Sequence, residues 1–367
     1  MADVTALAMR PTPFFVETLQ AEWDRGAAVA VIDHRLRGPE LSRVLDMLAP
    51  TEIVDSVGRR TRHSSGRPTE DGDALIVATS GSTGFPKGVV LTHEAVQASA
   101  DLTSRRLKID SSDRWLCCLP VAHVGGLSVI TRALLTGTAI TVHDGFDPAA
   151  VTEAAHRHGV TRVSLVTRAL GQVDSALFRT VLLGGAAPPQ DRARNVIATY
   201  GSTETGSGVV YERKALDSVE LRTDSESQLW VRSPTLLRCY RDGDDPKDAD
   251  GWYPTGDAGQ IVDGILSVSG RMADVIVTGG EKVWPGRIEP IIRSLPSVVE
   301  VVVVGRVHPE WGHQVTAVVE PSTVAPTLQE IKDAVRAELP DWWAPAALEL
   351  VAGFPRTALG KIRRPEI

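Results

Sequence analysis

Short apolar runs recur along the first three-quarters of the chain, each closed by glycine, proline or polar residues. They read AAVAVID (27–33), ALIVATS (74–80), RWLCCLP (114–120), AITVHD (139–144), VSLVT (163–167), TVLLGG (180–185), QLWVRSP (228–234) and ILSVSG (265–270). Runs this short, and rich in Val, Ile and Leu, predict buried strands rather than helices. Helical stretches separate several of them. THEAVQASADLTSRRL (92–107) predicts a helix with Thr92 as its N-cap. Alternating strands and helices indicate an α/β fold with a largely parallel sheet. SVGRRTRHSSGRPTEDGD (56–73) is polar and punctuated by Gly and Pro, and predicts a loop. The first 70 or so residues read only as irregular α/β.

The pattern changes near SGRMADVIVTGGEKVWPGRIE (269–289). RIEPIIRSL (287–295) and LQEIKDAVRAEL (328–339) predict helices; VVEVVVVGRV (298–307) and QVTAVVEP (314–321) predict strands. The expected organisation is therefore a large N-terminal domain of packed α/β sheets followed by a small α+β C-terminal domain. No internal repeat interrupts it.

A length of 367 residues fits about two domains. The net charge of −7 carries no Lys/Arg run, which excludes a nucleic-acid footprint. Any anion must then be bound by local geometry. Cys117, Cys118 and Cys239 form no CxxC pair and predict buried, reduced thiols. The N-terminus lacks a basic segment followed by an apolar core, and no run is long enough to span a bilayer. These features predict a cytoplasmic protein.

Candidate chemistry begins with TSGSTGFPKGV (79–89). Glycines allow close backbone approach, hydroxyls and N–H groups can line an anion-binding concavity, and Lys87 supplies a point charge. It is not a Walker A loop, because Gly88 follows the lysine. Alone it could also be a surface turn. YGSTETG (200–206) offers an aromatic ring, hydroxyls and one acid, Glu204, suited to a base, a phosphate and a hard divalent cation. LLGGAAP (182–188) is a strand entering a glycine turn, where ligands sit in open α/β sheets. WYPTGD (252–257) and the Gly270–Arg271 pair place an acid beyond a turn, and PRTALGK (355–361) ends in a lysine. HVGGLSVITRALLTG (123–137) should be a largely apolar helix with Ser128 and Arg132 on one face. Arg132 either snorkels to solvent or pairs with an anion in a pocket.

Taken in order with LPVAHVGGL (119–127) and TGGEK (278–282), these motifs resemble the ANL superfamily of adenylate-forming enzymes: acyl-CoA synthetases, luciferases and nonribosomal adenylation domains. The resemblance covers roughly residues 70 to 367. It implies that Thr79, Ser80, Gly81, Ser82, Thr83, Gly84 and Lys87 embrace the outer phosphates of ATP. Tyr200, Gly201 and Ser202, with Gly184, Gly185 and Ala186, would hold adenine and the α-phosphate region. Thr203 would contact the α-phosphate and Glu204 the Mg2+. Asp257 and Arg271 would hold the ribose, and Lys361 would be the adenylation lysine. Gly279, Gly280 and Glu281 would serve the thioester step with CoA. The domains implied are 1–270 and a mobile 274–367, with a hinge at about 271–273. The family often has Asp or Lys where Ala273 stands.

HVGGLSVITRALLTG, TVLLGGAAP and YGSTETGSGVVYERKALDSVELR further resemble the o-succinylbenzoate–CoA ligase branch, in its short actinobacterial form. That substrate has two carboxylates: one to be activated and an aromatic one needing a cation. The resemblance assigns the pocket to His123, Gly126, Ser128, Arg132 and Gly206. The expected co-substrates are ATP with Mg2+ and CoA, and a homodimer is allowed. A CoA ligase for another aromatic or short-chain acid, transfer to a carrier protein, and a non-catalytic ATP-binding homologue stay open.

Overall fold

The computed structural model describes residues 1–79, 87–186, 188–189, 191–356, 362, 364 and 367. Its contacts divide the chain into two units. The larger comprises Met1–Leu221, Val231–Tyr253 and Gly264–Leu266; the smaller comprises Arg222–Trp230, Pro254–Asp263 and Ser267–Ile367.

Two seven-stranded sheets build the larger unit. The first runs Cys239–Tyr240, Lys87–Thr92, Asp73–Thr79, Ala28–Val31, Val4–Ala8, Glu52–Asp55, Arg60–Arg62. Its middle strands are parallel, with Val4 opposite Ala28 and Val29 opposite Leu75. The second runs Lys214–Ala215, Ser207–Tyr211, Val196–Ser202, Thr180–Leu183, Arg162–Leu165, Arg114–Cys117, Ala139–Val142. It is parallel from Ala139–Val142 to Val196–Ser202. The α/β class with largely parallel sheets is thus as expected. Ala28–Val31 is buried throughout because helices cover both faces of a parallel sheet, so both sides must be apolar.

Local signals work where they are strong. The helix His93–Leu107 begins at Thr92, whose side chain accepts from the Ala95 N–H at 3.1 Å. It ends at Lys108 in the left-handed region. The first 70 residues hold more order than their sequence suggests: the strand Val4–Ala8 and the helices Pro13–Asp24 and Gly38–Leu48. The expected loop at 56–73 contains one strand, Arg60–Arg62, antiparallel to Glu52–Asp55. All three of its side chains are exposed, so no apolar alternation marks it. Ion pairs from Arg60 to Glu52 and Glu22 accompany it instead.

One face of the second sheet packs Leu116, Cys118, Val163, Leu165, Val181 and Leu183 against Val151 and Ala154. The helix Pro148–Arg157 supplies the last two. The helices His93–Leu107 and Val124–Thr136 pack on one another, and the latter on the strand Arg114–Cys117. Cys117, Cys118 and Cys239 are buried free thiols.

The smaller unit is the expected α+β arrangement. Val298–His308 and Gly312–Pro321 form an antiparallel pair, and Ala347–Leu350 adds in parallel. Ile288, Ile292, Ile331 and Val335 of the helices Pro285–Arg293 and Leu328–Arg336 fill the core against Val301, Val303, Ala317 and Val319. A four-stranded sheet runs Glu220–Thr223, Gln228–Arg232, Tyr253–Val262, Ile265–Arg271. No helix among the described residues is long and apolar enough to cross a membrane.

Candidate active site

The glycine- and hydroxyl-rich stretch joins two antiparallel strands. Asp73–Thr79 pairs with Lys87–Thr92, with Thr79 opposite Lys87 and its hydroxyl donating to the Lys87 carbonyl at 3.3 Å. Lys87 therefore sits on a strand rather than in a loop. Ser80, Gly81, Ser82, Thr83 and Gly84 lie outside the described residues. Beside Lys87 is a cavity of about 280 Å³, also lined by Asp46, Met47, Arg67, Gly88, Arg241 and Asp242. Arg241 there is structural: its guanidinium donates to the carbonyls of Leu48, Pro68, Ala49 and Arg67. Burial and the neighbouring Arg67 bring it down to about 10.

The stretch YGSTETG ends the strand Val196–Ser202 and turns through Thr203–Gly206 into the antiparallel strand Ser207–Tyr211. Thr205 fixes it: its hydroxyl accepts from the Ser202 N–H at 2.8 Å and lies 2.7 Å from the Ser207 carbonyl. A Cβ at Gly201 would lie 2.1 Å from the Ser207 carbonyl oxygen, so only glycine lets the two strands close here. Gly206 has φ +71. This turn puts Glu204 beside the strand Cys239–Tyr240. The Leu237 N–H donates to the Glu204 carbonyl at 2.8 Å, and the Tyr240 hydroxyl donates to Glu204 Oε1 at 3.3 Å. The Lys87 ammonium lies over the same Tyr240 ring, 4.2 Å from its centroid. One phenol thus brings together the expected phosphate cation and the expected metal-side acid. Burial and Glu204 push the Tyr240 hydroxyl up to about 12, so it remains a proton donor at neutral pH.

The strand Thr180–Leu183 ends at Gly184, whose N–H donates to the Leu165 carbonyl at 3.3 Å. A Cβ at Gly184 would meet the Thr199 hydroxyl at 3.1 Å, and Gly185 has φ +85. Gly184, Gly185 and Ala186 therefore follow one strand end, beside the adjacent strand that carries Tyr200, Gly201 and Ser202. Thr203 sits at the start of the turn, its carbonyl accepting from the Gly206 N–H at 3.0 Å.

His123 is the backbone N-cap of the helix Val124–Thr136. A Cβ at Gly126 would lie 2.5 Å from the carbonyl oxygens of Leu119 and Pro120, so this glycine sets how close the helix start comes to the preceding turn. Ser128 is partly buried. Arg132 does not snorkel: it is 2% exposed, and its Nε and Nη1 have no hydrogen-bond partner among the described residues. Its guanidinium carbon lies over the Trp115 ring, 4.8 Å from the centroid. Burial lowers its proton affinity, partly offset by Tyr211, whose hydroxyl shares a hydrogen bond with Thr103 at 3.0 Å.

The remaining candidates belong to the smaller unit. Arg271 Nε lies 3.0 Å from Asp257 Oδ1, so these two are joined. Gly279 and Gly280, with φ +56 and +88, form the two-residue turn of the hairpin Ile276–Thr278/Glu281–Val283. Positive φ at both positions is what this tight turn requires, and a Cβ at either would meet nothing within 4 Å. Glu281 is exposed at its edge. Lys361 lies outside the described residues. Sequence reading missed Tyr240, which no motif marks, and gave no role to Trp115, Thr205 and Tyr211, although each lies within a stretch it singled out.

A family model described as AMP-binding enzyme matches residues 48–232, and one described as AMP-binding enzyme C-terminal domain matches residues 287–361. The chain belongs to the AMP-binding enzyme family. This AMP-binding enzyme is 34% identical to a probable 2-succinylbenzoate–CoA ligase of Mycobacterium tuberculosis, over 89% of this chain and 92% of that one. Its fold matches that of o-succinylbenzoate CoA synthetase from Bacillus subtilis in complex with an acyl-adenylate intermediate, at a TM-score of 0.88 and 24% identity, covering 99% of this chain and 87% of that one. The same Bacillus enzyme in complex with ATP and magnesium matches at 0.87 and 24%, covering 99% and 89%. The residues fit a Mg2+ that arrives with nucleotide. Among the described residues no group of three or more His, Cys, Asp or Glu could form a resident cage. Glu204 offers one carboxylate, as Mg2+ bound through phosphates and one or two acids needs.

Proposed function

We propose that this chain is an AMP-forming acid–CoA ligase acting on 2-succinylbenzoate. A carboxylate is a poor acyl donor, because its leaving group would be oxide. Its oxygen attacks the α-phosphorus of ATP, the bond to the β-phosphate oxygen breaks, and pyrophosphate leaves. The CoA thiol then attacks the acyl carbonyl of the adenylate and AMP departs. Catalysis of the first step is mostly positioning and charge stabilisation. Lys87 and the stretch after Thr79 bind the outer phosphates, Thr203 orients the α-phosphate, and Tyr200 with Gly184–Ala186 holds adenine. Asp257 and Arg271 take the ribose, and Lys361 bridges carboxylate and α-phosphate. Magnesium, when bound, neutralises phosphate charge beside Glu204. Gly279, Gly280 and Glu281 serve the second step, the pivot lying at about 271–273. This chemistry belongs in the cytoplasm, where ATP and CoA are supplied.

One observation carries the choice of acid. Arg132 is a buried cation with unengaged donors, the arrangement a second carboxylate on the substrate would complete. A desolvated carboxylate left unpaired costs about 3–5 kcal/mol, so Arg132→Ala should raise KM for 2-succinylbenzoate by at least ~100-fold. KM for 4-oxo-4-phenylbutanoate, which keeps the activated carboxylate and lacks the aromatic one, should stay within about twofold. An unchanged KM for the dicarboxylate would remove Arg132 from the pocket.

A further inference from the structure

Arg132 is buried without a counterion among the described residues, and we infer that Trp115 takes the counterion's place as the positioning residue that holds the guanidinium ready for an incoming carboxylate. The inference rests on the reading of Arg132 given above. Trp115 lies in the strand Arg114–Cys117. Its neighbours Leu116 and Cys118 face the cluster containing Val151 and Ala154. Strand alternation turns Trp115 and Cys117 the other way, and the Cys117 thiol lies 3.6 Å from the Gly126 carbonyl of the helix that bears Arg132. Trp115 is fully buried there, and its own Nε1 has no partner among the described residues. The indole is therefore not placed by a hydrogen bond of its own; its contact with Arg132 is through the ring.

That contact, at 4.8 Å from the ring centroid, is within the ~6 Å reach of a cation–π interaction, which is strongest with Trp and when desolvated. The other group bearing electrostatically on Arg132 is the Tyr211 phenol, which is engaged with Thr103. Among the described residues no carboxylate forms an ion pair with Arg132. A carboxylate counterion would occupy the N–H donors that a substrate must use, and would have to be displaced. An aromatic ring attracts the charge and leaves those donors free. It also resists the tendency of a buried, unpaired cation to turn toward solvent.

The test compares Trp115→Leu and Trp115→Phe with the unaltered enzyme on two acids, 2-succinylbenzoate and 4-oxo-4-phenylbutanoate, in the full ATP- and CoA-dependent reaction. For Trp115→Leu, KM for the dicarboxylate should rise ~10- to 30-fold with kcat changed less than about threefold. KM for the monocarboxylate should stay within about twofold. Trp115→Phe should recover most of the loss, because it restores a π face. Parallel rises for both acids, or a Phe variant as impaired as the Leu variant, would reduce Trp115 to packing and overturn the inference. If Trp115→Leu fails to fold, Trp115→Met, which likewise lacks a π face, takes its place: a selective rise in KM for the dicarboxylate is expected, and a ratio of the two KM values equal to that of the unaltered enzyme overturns the inference. Arg132→Ala separates the two readings. No effect of that change on the dicarboxylate overturns the pocket assignment itself, whereas a large effect combined with acid-independent Trp115 variants overturns only the role given to the indole.

Discussion

Replacing Tyr240 by Phe removes one oxygen from the point where Lys87, the proposed phosphate cation, and Glu204, the proposed metal-side acid, meet. The ring stays, so the contact with the Lys87 ammonium at 4.2 Å is retained, while the hydrogen bond to Glu204 Oε1 is lost. A hydrogen bond to a charged group contributes about 1.5–3 kcal/mol, and at 3.3 Å this one belongs at the lower end. A loss of about 1.5 kcal/mol corresponds to a fall of ~10-fold in kcat/KM for adenylation. Tyr240→Leu also removes the ring and should cost a further ~0.5–2 kcal/mol through Lys87. Initial rates of pyrophosphate release, measured across Mg2+ and ATP concentrations, separate the two. The Phe variant should need more Mg2+ for half-maximal rate with the acid KM unchanged; the Leu variant should also show a raised KM for ATP. A Phe variant indistinguishable from the parent at every Mg2+ concentration, or a Leu variant no worse than Phe, would refute the linkage. The proton adds a second check. The phenol rises to about 12 in the folded state from an unfolded value near ~10. Its contribution to stability is present below pH ~10 and lost as pH rises through ~12, so the parent should lose stability relative to Tyr240→Phe across that window.

The remaining expectations concern the scaffold. Burial pushes the Asp113 carboxyl up, but hydrogen bonds from Arg162, the Asp110 amide and Thr161 more than offset it and hold it below the usual carboxylate range. Its stabilising effect is therefore present above the ordinary carboxylate pKa and lost as pH falls through the lowered one; Asp113→Asn should flatten that acid limb in denaturant unfolding. The same change leaves Arg162 buried without its carboxylate and should cost about 3–5 kcal/mol. Gly201→Ala places a methyl 2.1 Å from the Ser207 carbonyl oxygen, so the 200–206 turn must open. Nucleotide-dependent thermal stabilisation should fall sharply in that variant, and an unchanged shift with ATP would show that the turn is not at the nucleotide.

Much of this architecture was legible because it rests on local signals. The apolar runs at 27–33, 163–167 and 180–185 are central parallel strands, where burial on both faces demands continuous hydrophobicity. Thr92 announced its helix through a capping side chain. The strand Arg60–Arg62 was invisible because all its side chains are exposed and Arg60 is held by Glu52 and the more distant Glu22 rather than by an apolar face. In the site, the glycines were legible as backbone requirements, and Gly126, Gly201 and Gly206 each meet one. Tyr240 and Trp115 were not, since each meets the site only through contact with a residue elsewhere in the sequence, Glu204 or Arg132. The choice between a snorkelling and a pocket-facing Arg132 was likewise beyond helical spacing. Tertiary burial excludes the snorkelling arm, and the KM comparison on the two acids tests the other.

The central claim is that this chain activates 2-succinylbenzoate through an adenylate and passes it to CoA. Purified protein incubated with ATP, Mg2+, CoA and an equimolar panel of 2-succinylbenzoate, 4-oxo-4-phenylbutanoate, benzoate and short-chain acids, followed by mass measurement of the thioesters, tests it directly. The account predicts 2-succinylbenzoyl-CoA as the dominant product, formed with equal amounts of AMP and pyrophosphate. A thioester of another acid in its place, or no nucleotide turnover with 2-succinylbenzoate, would contradict it.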